Sequence, residues 1–564
     1  MNALPDPTGA VASALSRRGR RVLGTIMTGL LLSAAAPAAI PTDEPVSGGC
    51  VSVWVSTAPG DFNTLHDAVD HVNSVGCTSG GLNEIQIDYS THAVVSFSSP
   101  IPPLTRPTYI GTPPDQTGVP RVILRANDNT QLTSTAALIA QTRVEIQNLD
   151  IQGQASRDFG AGILLTSDAD GSRIRGVRVS RTRNVGISLS GVSNVRIESS
   201  PDFPTVVVEA GFGSATTPLY KPGIGLSSAN DVTIDGARLG IDDDGSPAGN
   251  CSYGVEIDSS MLVTLGAGVN QQDRRNIIGD NGYGGVHIVD SSVVNIHGNY
   301  IGLGPDGVAP VGNGLDTNCL GGLQSLSRGG VVVRDSNFIS LGSTLFAHGS
   351  YITANHTGVN LINAQRVTFL RNQIGRRPNG SILANSGSSI LITGTSGQSD
   401  IDRVLIGTTD SIDRRNVIVG DGSNDHGIRI YPSVGRVEIH SNSIYGHGLN
   451  PIDRGIPPYP PVLTVADPGS GQIAGTLIPD PNPGRVDLFA DLAGHSQARY
   501  FLGSIDVPAS AGSFSTTINS THFQNGRPIT AIFTTDSGPG SSRLSEPLIA
   551  ETVPLEDEIF QDSF

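Results

Sequence analysis

The sequence predicts an all-β protein: a solenoid of stacked coils with an N-terminal capping helix, followed by a small antiparallel β-sandwich. The first observation is a repeated unit, in which alternating apolar residues follow a Gly and a Val or Ile lies nine residues after that Gly. Six copies keep this spacing, beginning at Gly186, Gly223, Gly254, Gly285, Gly330 and Gly358. Such internal repeats are typical of solenoids. The second observation is that 70 glycines and only 15% charged residues favour short strands and tight turns.

Residues 1–38 have the features of an export signal. Arg17, Arg18, Arg20 and Arg21 precede the apolar run 22–32, and Ala36-Pro37-Ala38 resembles a small-x-small cleavage site. The apolar run is too short for a membrane span, although an N-terminal anchor is the alternative. We therefore expect a secreted protein, extracellular or at the cell surface, whose mature chain has no membrane span.

The charge and cysteine content narrow the class of partner and the compartment. A net charge of −16 argues against nucleic acid as a partner, because affinity for its backbone requires clustered Lys and Arg. Four cysteines in an exported protein can pair in three ways, and we favour Cys50–Cys77 and Cys251–Cys319 over free buried thiols. The absence of a Cys-x-x-Cys spacing argues against a zinc site.

A short strand and an amphipathic helix are predicted at the start of the solenoid. Residues 51–55 alternate as a strand does, and the helix that follows places Leu65, Ala68, Val69 and Val72 on one face. Thr64, with Asp67 three residues later, resembles a capping box. Such a helix would cover the apolar end and the unpaired edge of the first coil.

Each coil of the solenoid is predicted to contain three short strands separated by bends. The sequence Asn-x-Ile recurs from coil to coil, and because Asn tolerates left-handed backbone, we expect its copies to stack at one bend. These copies begin at Asn276, Asn299, Asn372, Asn416 and Asn442. Excursions at residues 240–250, 302–313 and 375–385 lengthen some coils and make one side of the solenoid the natural place for function.

The character of the sequence changes at the proline-rich segment 455–461. Beyond it, six or seven runs with period-two alternation indicate an immunoglobulin-like sandwich. The predicted domains are therefore a signal peptide at 1–38, the solenoid at 39–455, the sandwich at 456–550 and an acidic and aromatic tail at 551–564.

A family resemblance adds to this interpretation. The run Asn276-Ile277-Ile278-Gly279, with Gly298-Asn299-Tyr300-Ile301-Gly302 and Gly312-Asn313, resembles secreted bacterial parallel β-helix repeat proteins. Gly60-Asp61-Phe62 with Thr64-Leu65 is similar to the opening of pectin-lyase-like folds. The resemblance implies that the solenoid is a right-handed parallel β-helix and that an immunoglobulin-like module follows it. Many such proteins have no assigned chemistry, so it implies architecture more than activity.

Two groups of residues are candidates for chemistry. Glu256 and His287 are equivalent in adjacent coils, and with Asp258 and Arg334 they could support acid–base work on a sugar chain; the alternative is an ordinary solvated face. The run Asp242-Asp243-Asp244-Gly245 could ligate calcium, although three consecutive carboxylates do not all face one ion.

The preferred functional hypothesis is a non-catalytic protein whose long faces bind polysaccharides or cell-surface glycans, or which is structural. The alternative is a polysaccharide lyase or glycoside hydrolase of pectin-lyase-like fold. No cofactor is expected, with calcium as the alternative. Fold alone does not decide between these, since the feature that separates them is a compact cluster of acid, Arg and base.

Overall fold

The computed structural model describes residues 50–58, 61–78, 81–113, 118–126, 132–154, 159–200, 202–212, 221–266, 274–315, 328–343, 349–394, 403–409, 412–423, 425–432, 434–455, 458–480, 482–536 and 540–552. All described residues belong to one compact unit. The predicted signal peptide, Cys319 and most of the C-terminal tail lie outside the described residues. Among those described, no helix is long and apolar enough to cross a membrane.

Three long parallel sheets run side by side and confirm the predicted β-helix. In the described part of the chain, sheet A has 13 strands: β1 (Ser52–Val55), β2 (Asn83–Ile87), β4 (Thr108–Gly111), β7 (Val144–Gln147), β10 (Arg173–Arg175), β13 (Ser193–Glu198), β16 (Asn230–Ile234), β19 (Met261–Leu265), β22 (Ser292–Ile296), β25 (Asn337–Leu341), β28 (Gln365–Phe369), β31 (Val404–Gly407) and β34 (Val437–His440). Within the same residues, sheet B has 12: β3 (Val94–Phe97), β5 (Val122–Ala126), β8 (Leu149–Gln152), β11 (Arg178–Ser180), β14 (Thr205–Val208), β17 (Ala237–Leu239), β20 (Ile277–Ile278), β23 (Tyr300–Ile301), β26 (Tyr351–Ile352), β29 (Gln373–Ile374), β32 (Val417–Val419) and β35 (Ser443–Tyr445). Sheet C has 11 described strands: β6 (Leu132–Ala140), β9 (Phe159–Leu165), β12 (Ile187–Ser190), β15 (Ile224–Ser227), β18 (Tyr253–Asp258), β21 (Gly284–Val289), β24 (Gly329–Arg334), β27 (Val359–Ile362), β30 (Ile390–Thr393), β33 (Ile428–Ile430) and β36 (Ile452–Arg454).

The repeated Gly unit forms a strand of sheet C and the following strand of sheet A. Its alternating apolar residues point inward, as Val286, Ile288 and Val294 do, and all three are fully buried. A Cβ on Gly285 would lie 2.6 Å from the oxygen of Gly330 and 2.9 Å from Ile301 Cγ2, so close backbone approach explains the Gly.

The second residue of the sheet A strand has left-handed backbone in successive coils. Leu262, Val293 and Phe338 have φ values of 57°, 56° and 56°, although side chains of this kind rarely adopt such values. Each lies at the equivalent position of its coil, between paired neighbours in sheet A. The same backbone conformation therefore recurs from rung to rung, although the side chain differs.

Two ladders of buried Asn side chains hold the other bends. At the bend from sheet A to sheet B, Asn276 donates to Asn299 and Asn372 to Asn416, as predicted, with Ser350 in place of Asn in the coil between them. At the bend from sheet B to sheet C a second ladder is unbroken, each Nδ2 donating to the next Oδ1 over 2.8–3.2 Å. Its members are Asn250, Asn281, Asn313, Asn355 and Asn385.

The N-terminal end is closed as the sequence predicts. The helix α1 (Leu65–Val75) buries Leu65 and its three predicted partners, and Thr64 accepts a hydrogen bond from the Asp67 amide. Cys50 and Cys77 form the predicted disulfide. Cys251 is buried and also disulfide-bonded, whereas Cys319 lies outside the described residues.

The C-terminal module consists of two small antiparallel sheets around a core of their own. One sheet contains β37 (Val462–Asp467), β38 (Gln472–Thr476) and β41 (Ser513–Thr517). The other contains β39 (Gly484–Ala490), β40 (Tyr500–Val507), β42 (Pro528–Thr535) and β43 (Leu548–Ile549). A short 3₁₀ turn spans Ile412–Arg414.

This module covers the open end of the β-helix with its own main chain. The Ser541 amide donates to Val437 O on sheet A, and Ala498 and Ile444 exchange two backbone hydrogen bonds on sheet B. Apolar side chains of the module, among them Phe489, continue the core of the solenoid. The last edges of two sheets are therefore paired rather than exposed.

Candidate functional site

Glu256 and His287 are brought together on the outer face of sheet C. They are paired in register on β18 and β21, and His287 Nδ1 lies 3.4 Å from Glu256 Oε1. The His287 ring stacks on Tyr253 with 4.4 Å between centroids. Its Nε2 is buried, and no described residue forms a hydrogen bond with it. The two side chains are close enough for general acid–base catalysis. His287 is only 8% exposed, however, so a substrate has little access to its ring.

Asp258 and Arg334 are not part of this contact. Asp258 pairs in register with Val289, and Arg334 follows one coil further on, which places about 10 Å between the two backbones. The Asp258 carboxylate accepts a hydrogen bond from Ser259 at 2.8 Å. The structure therefore brings two of the four candidates together and leaves the other two in the adjacent row.

The outer face of sheet C differs from an open solvated face around this pair. Val332 and Asn360, the next residues in the row, are 0% and 1% exposed. Tyr253 and Tyr283 are also buried and form an apolar cluster with Val332 outside the main core. Among the described residues named here, Glu256 is the most accessible, with 31% of its side chain exposed.

The three consecutive aspartates are paired with arginines or bonded within their own turn. Arg178 forms two hydrogen bonds with Asp242, at 2.8 and 2.9 Å, and Arg121 pairs with Asp243 at 2.5 Å. Asp244 accepts from the Ser246 amide in its own turn. The Arg178 guanidinium holds the pKa of Asp242 below its usual value, against the opposing effect of burial. In the part of the chain that the structure describes, no three His, Cys, Asp or Glu side chains are grouped as metal ligands.

A different group of side chains lies on the outer face of sheet B. Tyr300 and Tyr351 are paired in register on β23 and β26, half-buried, with 5.6 Å between ring centroids. Arg275 places its guanidinium 4.1 Å from the centre of the Tyr300 ring, in the geometry of a cation–π contact. Gln373 follows Tyr351 in the same row. We call Arg275, Tyr300, Tyr351, Gln373 and Arg376 the tyrosine groove.

The loops that the sequence singled out form one wall of the tyrosine groove. They stack on one another, since Gly245 lies beside Pro305 and Gly307 lies beside both Pro378 and Tyr300. Arg377 Nε donates to Val308 O over 2.9 Å and ties two of these loops together. Arg275 reaches the tyrosines from the opposite side, at the bend between sheets A and B.

The electrostatics of the tyrosine groove favour an electron-rich ligand. Burial and the neighbouring Tyr300 raise the pKa of Tyr351, while the charges of Arg275 and Arg376 oppose the rise, so its hydroxyl remains a donor at neutral pH. Arg275 Nη1 is buried, and no described residue accepts a hydrogen bond from it. Half-buried aromatic faces with a few polar groups around them are typical of ligand sites.

Solved structures with a similar course of the chain come from several kinds of protein. Tailspike protein 2 of an Escherichia coli O157:H7 bacteriophage is 10% identical over 90% of this chain and 69% of its own, with a TM-score of 0.30. An endo-xylogalacturonan hydrolase from Aspergillus tubingensis is 13% identical over 72% and 93%, with a TM-score of 0.31. A Streptococcus pneumoniae surface protein and adhesin is 11% identical over 69% and 96%, at 0.30. No protein-family model and no curated protein sequence matches the chain. Likeness at this level carries no argument about activity.

The residues of the tyrosine groove were not singled out by the sequence, although a signal was present. In Asn-x-Ile the Asn and Ile point inward, so the middle residue points outward and lies in the row that contains Tyr300. Tyr351 does not match the Asn-x-Ile pattern, because Ser350 precedes it in place of Asn. Among the middle residues of the Asn-x-Ile copies, Tyr300 is the one aromatic, and the register of β26 places Tyr351 beside it.

Proposed function

We propose that the protein is a surface or extracellular β-helix protein that binds extended glycans, without modifying them, in the tyrosine groove. The observation that carries this proposal is the pair of half-buried tyrosines in register, flanked by Arg275 and the wall of loops. Sugar rings offer apolar C–H faces that pack on aromatic rings, and their hydroxyls accept hydrogen bonds from arginine and amide groups.

The spacing of the β-helix supports a linear ligand. Successive rungs lie about 4.8 Å apart, which is close to the repeat of one pyranose unit along an extended chain. Tyr300, Tyr351 and Gln373 occupy three consecutive rungs of one row. A ligand with one ring over each rung would make the same kind of contact repeatedly.

Replacing Tyr351 with alanine tests the proposal. We expect affinity for the bound glycan to fall about tenfold, because a half-buried aromatic anchor is lost at the centre of the site. Binding is measured by isothermal calorimetry against a panel of polyuronides and neutral glycans, with Tyr300→Ala as a second variant. Tyr431→Ala is the matched control, since Tyr431 is 39% exposed and also has an arginine over its ring. Equal losses in the control and the groove variants would contradict the proposal.

A second candidate function is a lyase or hydrolase centred on Glu256 and His287. The observation that favours it is their 3.4 Å contact on the outer face of sheet C. If this pair acts as acid and base, the protein releases new reducing or unsaturated ends from a polysaccharide, and Glu256→Gln abolishes release while binding in the tyrosine groove is kept. Wild-type protein that cleaves none of the panel, with or without calcium, would eliminate this candidate.

A further inference from the structure

Two arginines of the tyrosine groove have no carboxylate partner. The Arg275 guanidinium lies 4.1 Å from the centre of the Tyr300 ring and 5.9 Å from the centre of the Tyr351 ring. On the wall of loops, Arg376 Nε donates to the backbone oxygen of Gly380 over 3.1 Å. Both arginines are half-buried, and no carboxylate of a described residue lies at ion-pair distance from either. The groove therefore contains two cations that the protein itself does not neutralise by contact.

Half-buried arginines elsewhere in the protein do contact a carboxylate. Moving a guanidinium partly out of water is costly unless an opposite charge or hydrogen-bond acceptors replace the water. Examples at N–O distances of 2.5–3.1 Å are the pairs Arg178–Asp242, Arg436–Glu438, Arg485–Asp487 and Arg499–Asp491. The two arginines of the tyrosine groove are thus suited to a partner from outside the chain.

Donors predominate among the other polar groups of the groove. Burial and Tyr300 raise the pKa of Tyr351 while both arginines oppose the rise, so their charges act at its hydroxyl, which remains a protonated donor at neutral pH. Arg275 Nη1 is buried, and no described residue accepts a hydrogen bond from it. The Asp306 carboxylate, exposed on the wall of loops, accepts from two backbone amides of its own turn. A ligand therefore meets donors and positive charge, and supplies the acceptors.

We propose that the tyrosine groove selects anionic polysaccharides, whose carboxylate or sulfate groups bind to Arg275 and Arg376. This inference rests on the glycan-binding function proposed above. A guanidinium forms two parallel, charge-assisted hydrogen bonds with an oxyanion, whereas an aromatic ring packs on a sugar face whatever the charge of the sugar. The tyrosines then provide affinity for the sugar ring, and the arginines provide the selection for acidic units.

Pairs of polymers that differ only in charge test the proposal. The first pair is a polyuronide and the neutral polymer obtained by reducing its carboxyl groups, and the second is a sulfated polysaccharide and its desulfated form. Isothermal calorimetry on the whole protein gives the ratio of the two affinities within each pair. In the wild type we expect the acidic member of at least one pair to bind about a hundredfold more tightly, because two charge-assisted contacts each contribute about tenfold.

Replacing either arginine with glutamine is expected to reduce this preference. Arg275→Gln and Arg376→Gln each lower the ratio about tenfold, since one charge-assisted contact is lost, and the ratio cancels any general change in the groove. Arg543→Gln is the matched control, because Arg543 is exposed in the C-terminal module and its loss changes the net charge equally. Added sodium chloride is expected to weaken binding of the acidic polymer less in the two groove variants than in the wild type.

The outcomes distinguish this selectivity from the binding function on which it rests. A preference that the groove variants lower and Arg543→Gln keeps supports the inference, and the polymer pair that shows it identifies the carboxylate or the sulfate ester as the recognised group. Equal binding of acidic and neutral polymers, or the same ratio in the groove variants, the control and the wild type, overturns the inference. Binding that still depends on Tyr351 in that case leaves the glycan-binding function standing, whereas a panel in which no polymer binds overturns both.

Discussion

Asn281→Ala is expected to lower the free energy of unfolding by about 4 kcal/mol, because several buried polar groups lose their partners together. Asn281 is 0% exposed. Its Oδ1 accepts from the amide and the Nδ2 of Asn250, and its Nδ2 donates to Leu239 O, Gly279 O and Asn313 Oδ1 over 2.9–3.0 Å. The groups that lose these bonds are themselves buried, so each orphaned group adds to the loss.

The matched control for Asn281→Ala is Asn337→Ala. Asn337 begins β25 on the half-exposed outer side of sheet A, outside both ladders. Its replacement is expected to change stability by less than about 0.5 kcal/mol, as is usual for surface positions. Guanidinium denaturation followed by circular dichroism measures both variants. Similar midpoints for the two would show that the ladder contributes nothing beyond an ordinary surface amide.

Asp487→Ala is expected to loosen the C-terminal module from the β-helix, at a cost of about 3–5 kcal/mol typical of a broken buried ion pair. Asp487 is 1% exposed and lies between the two parts of the molecule. It accepts from Arg485 Nε at 3.1 Å within the module, and it contacts His440 Nδ1 at 3.2 Å on the last coil. Removing it leaves the buried His440 with Glu438 alone, at 3.8 Å, and leaves Arg485 with the exposed Asp506.

Limited proteolysis measures this loosening. The wild type is expected to resist cleavage in the proline-rich segment 458–461, whereas Asp487→Ala releases the module there. Asp506→Ala is the control, since Asp506 also faces Arg485 but its side chain is 87% exposed. A variant of Asp487 as resistant as the wild type would show that backbone pairing alone holds the module.

The same contact makes the docking dependent on pH. Burial alone would lower the pKa of His440, but Asp487 and Glu438 outweigh it and raise that pKa. Stability from the charged His440 is therefore fully present below about pH 6.5 and is lost as pH rises through its higher folded value. Burial raises the pKa of Glu438, but His440 and Arg436 lower it further, to about 2. Glu438 therefore stays charged throughout this pH range.

Unfolding measured at about pH 6 and about pH 9 should show a smaller difference in Asp487→Ala than in the wild type. The other charged groups facing this contact are Arg403, Arg436 and Arg485.

Much of the architecture followed from the sequence because local rules repeat in every coil. The Gly of each unit marks a place where no Cβ fits, as at Gly285, and the apolar alternation marks the inner face. Asn276 and its equivalents could be assigned to a bend because Asn has both donor and acceptor for a ladder. The helix followed from one apolar face and one cap.

The candidate site and the closed C-terminal end could not be predicted from the sequence, since they depend on contacts between residues far apart in the chain. His287 is an outward residue by its position, and its burial arises from Tyr253 and the covered row beyond it. The pairing of Tyr300 with Tyr351 depends on which rungs become neighbours after loops of unequal length. The positive φ of Val293 also could not be predicted, because β-branched residues disfavour this conformation and the surrounding coil imposes it.

Closure of the β-helix by its own C-terminal module has a consequence during synthesis. The Ile439 amide donates a hydrogen bond to the hydroxyl of Ser541, which lies 102 residues further along the chain. A ribosome adds about 5–20 residues per second, so the last coil waits about 5–20 s before its cover exists. Throughout that interval a nascent chain presents two unpaired strand edges, to which a second nascent chain could attach. Slow translation between the last coil and the module would lengthen the interval, and fast translation of that segment would shorten it.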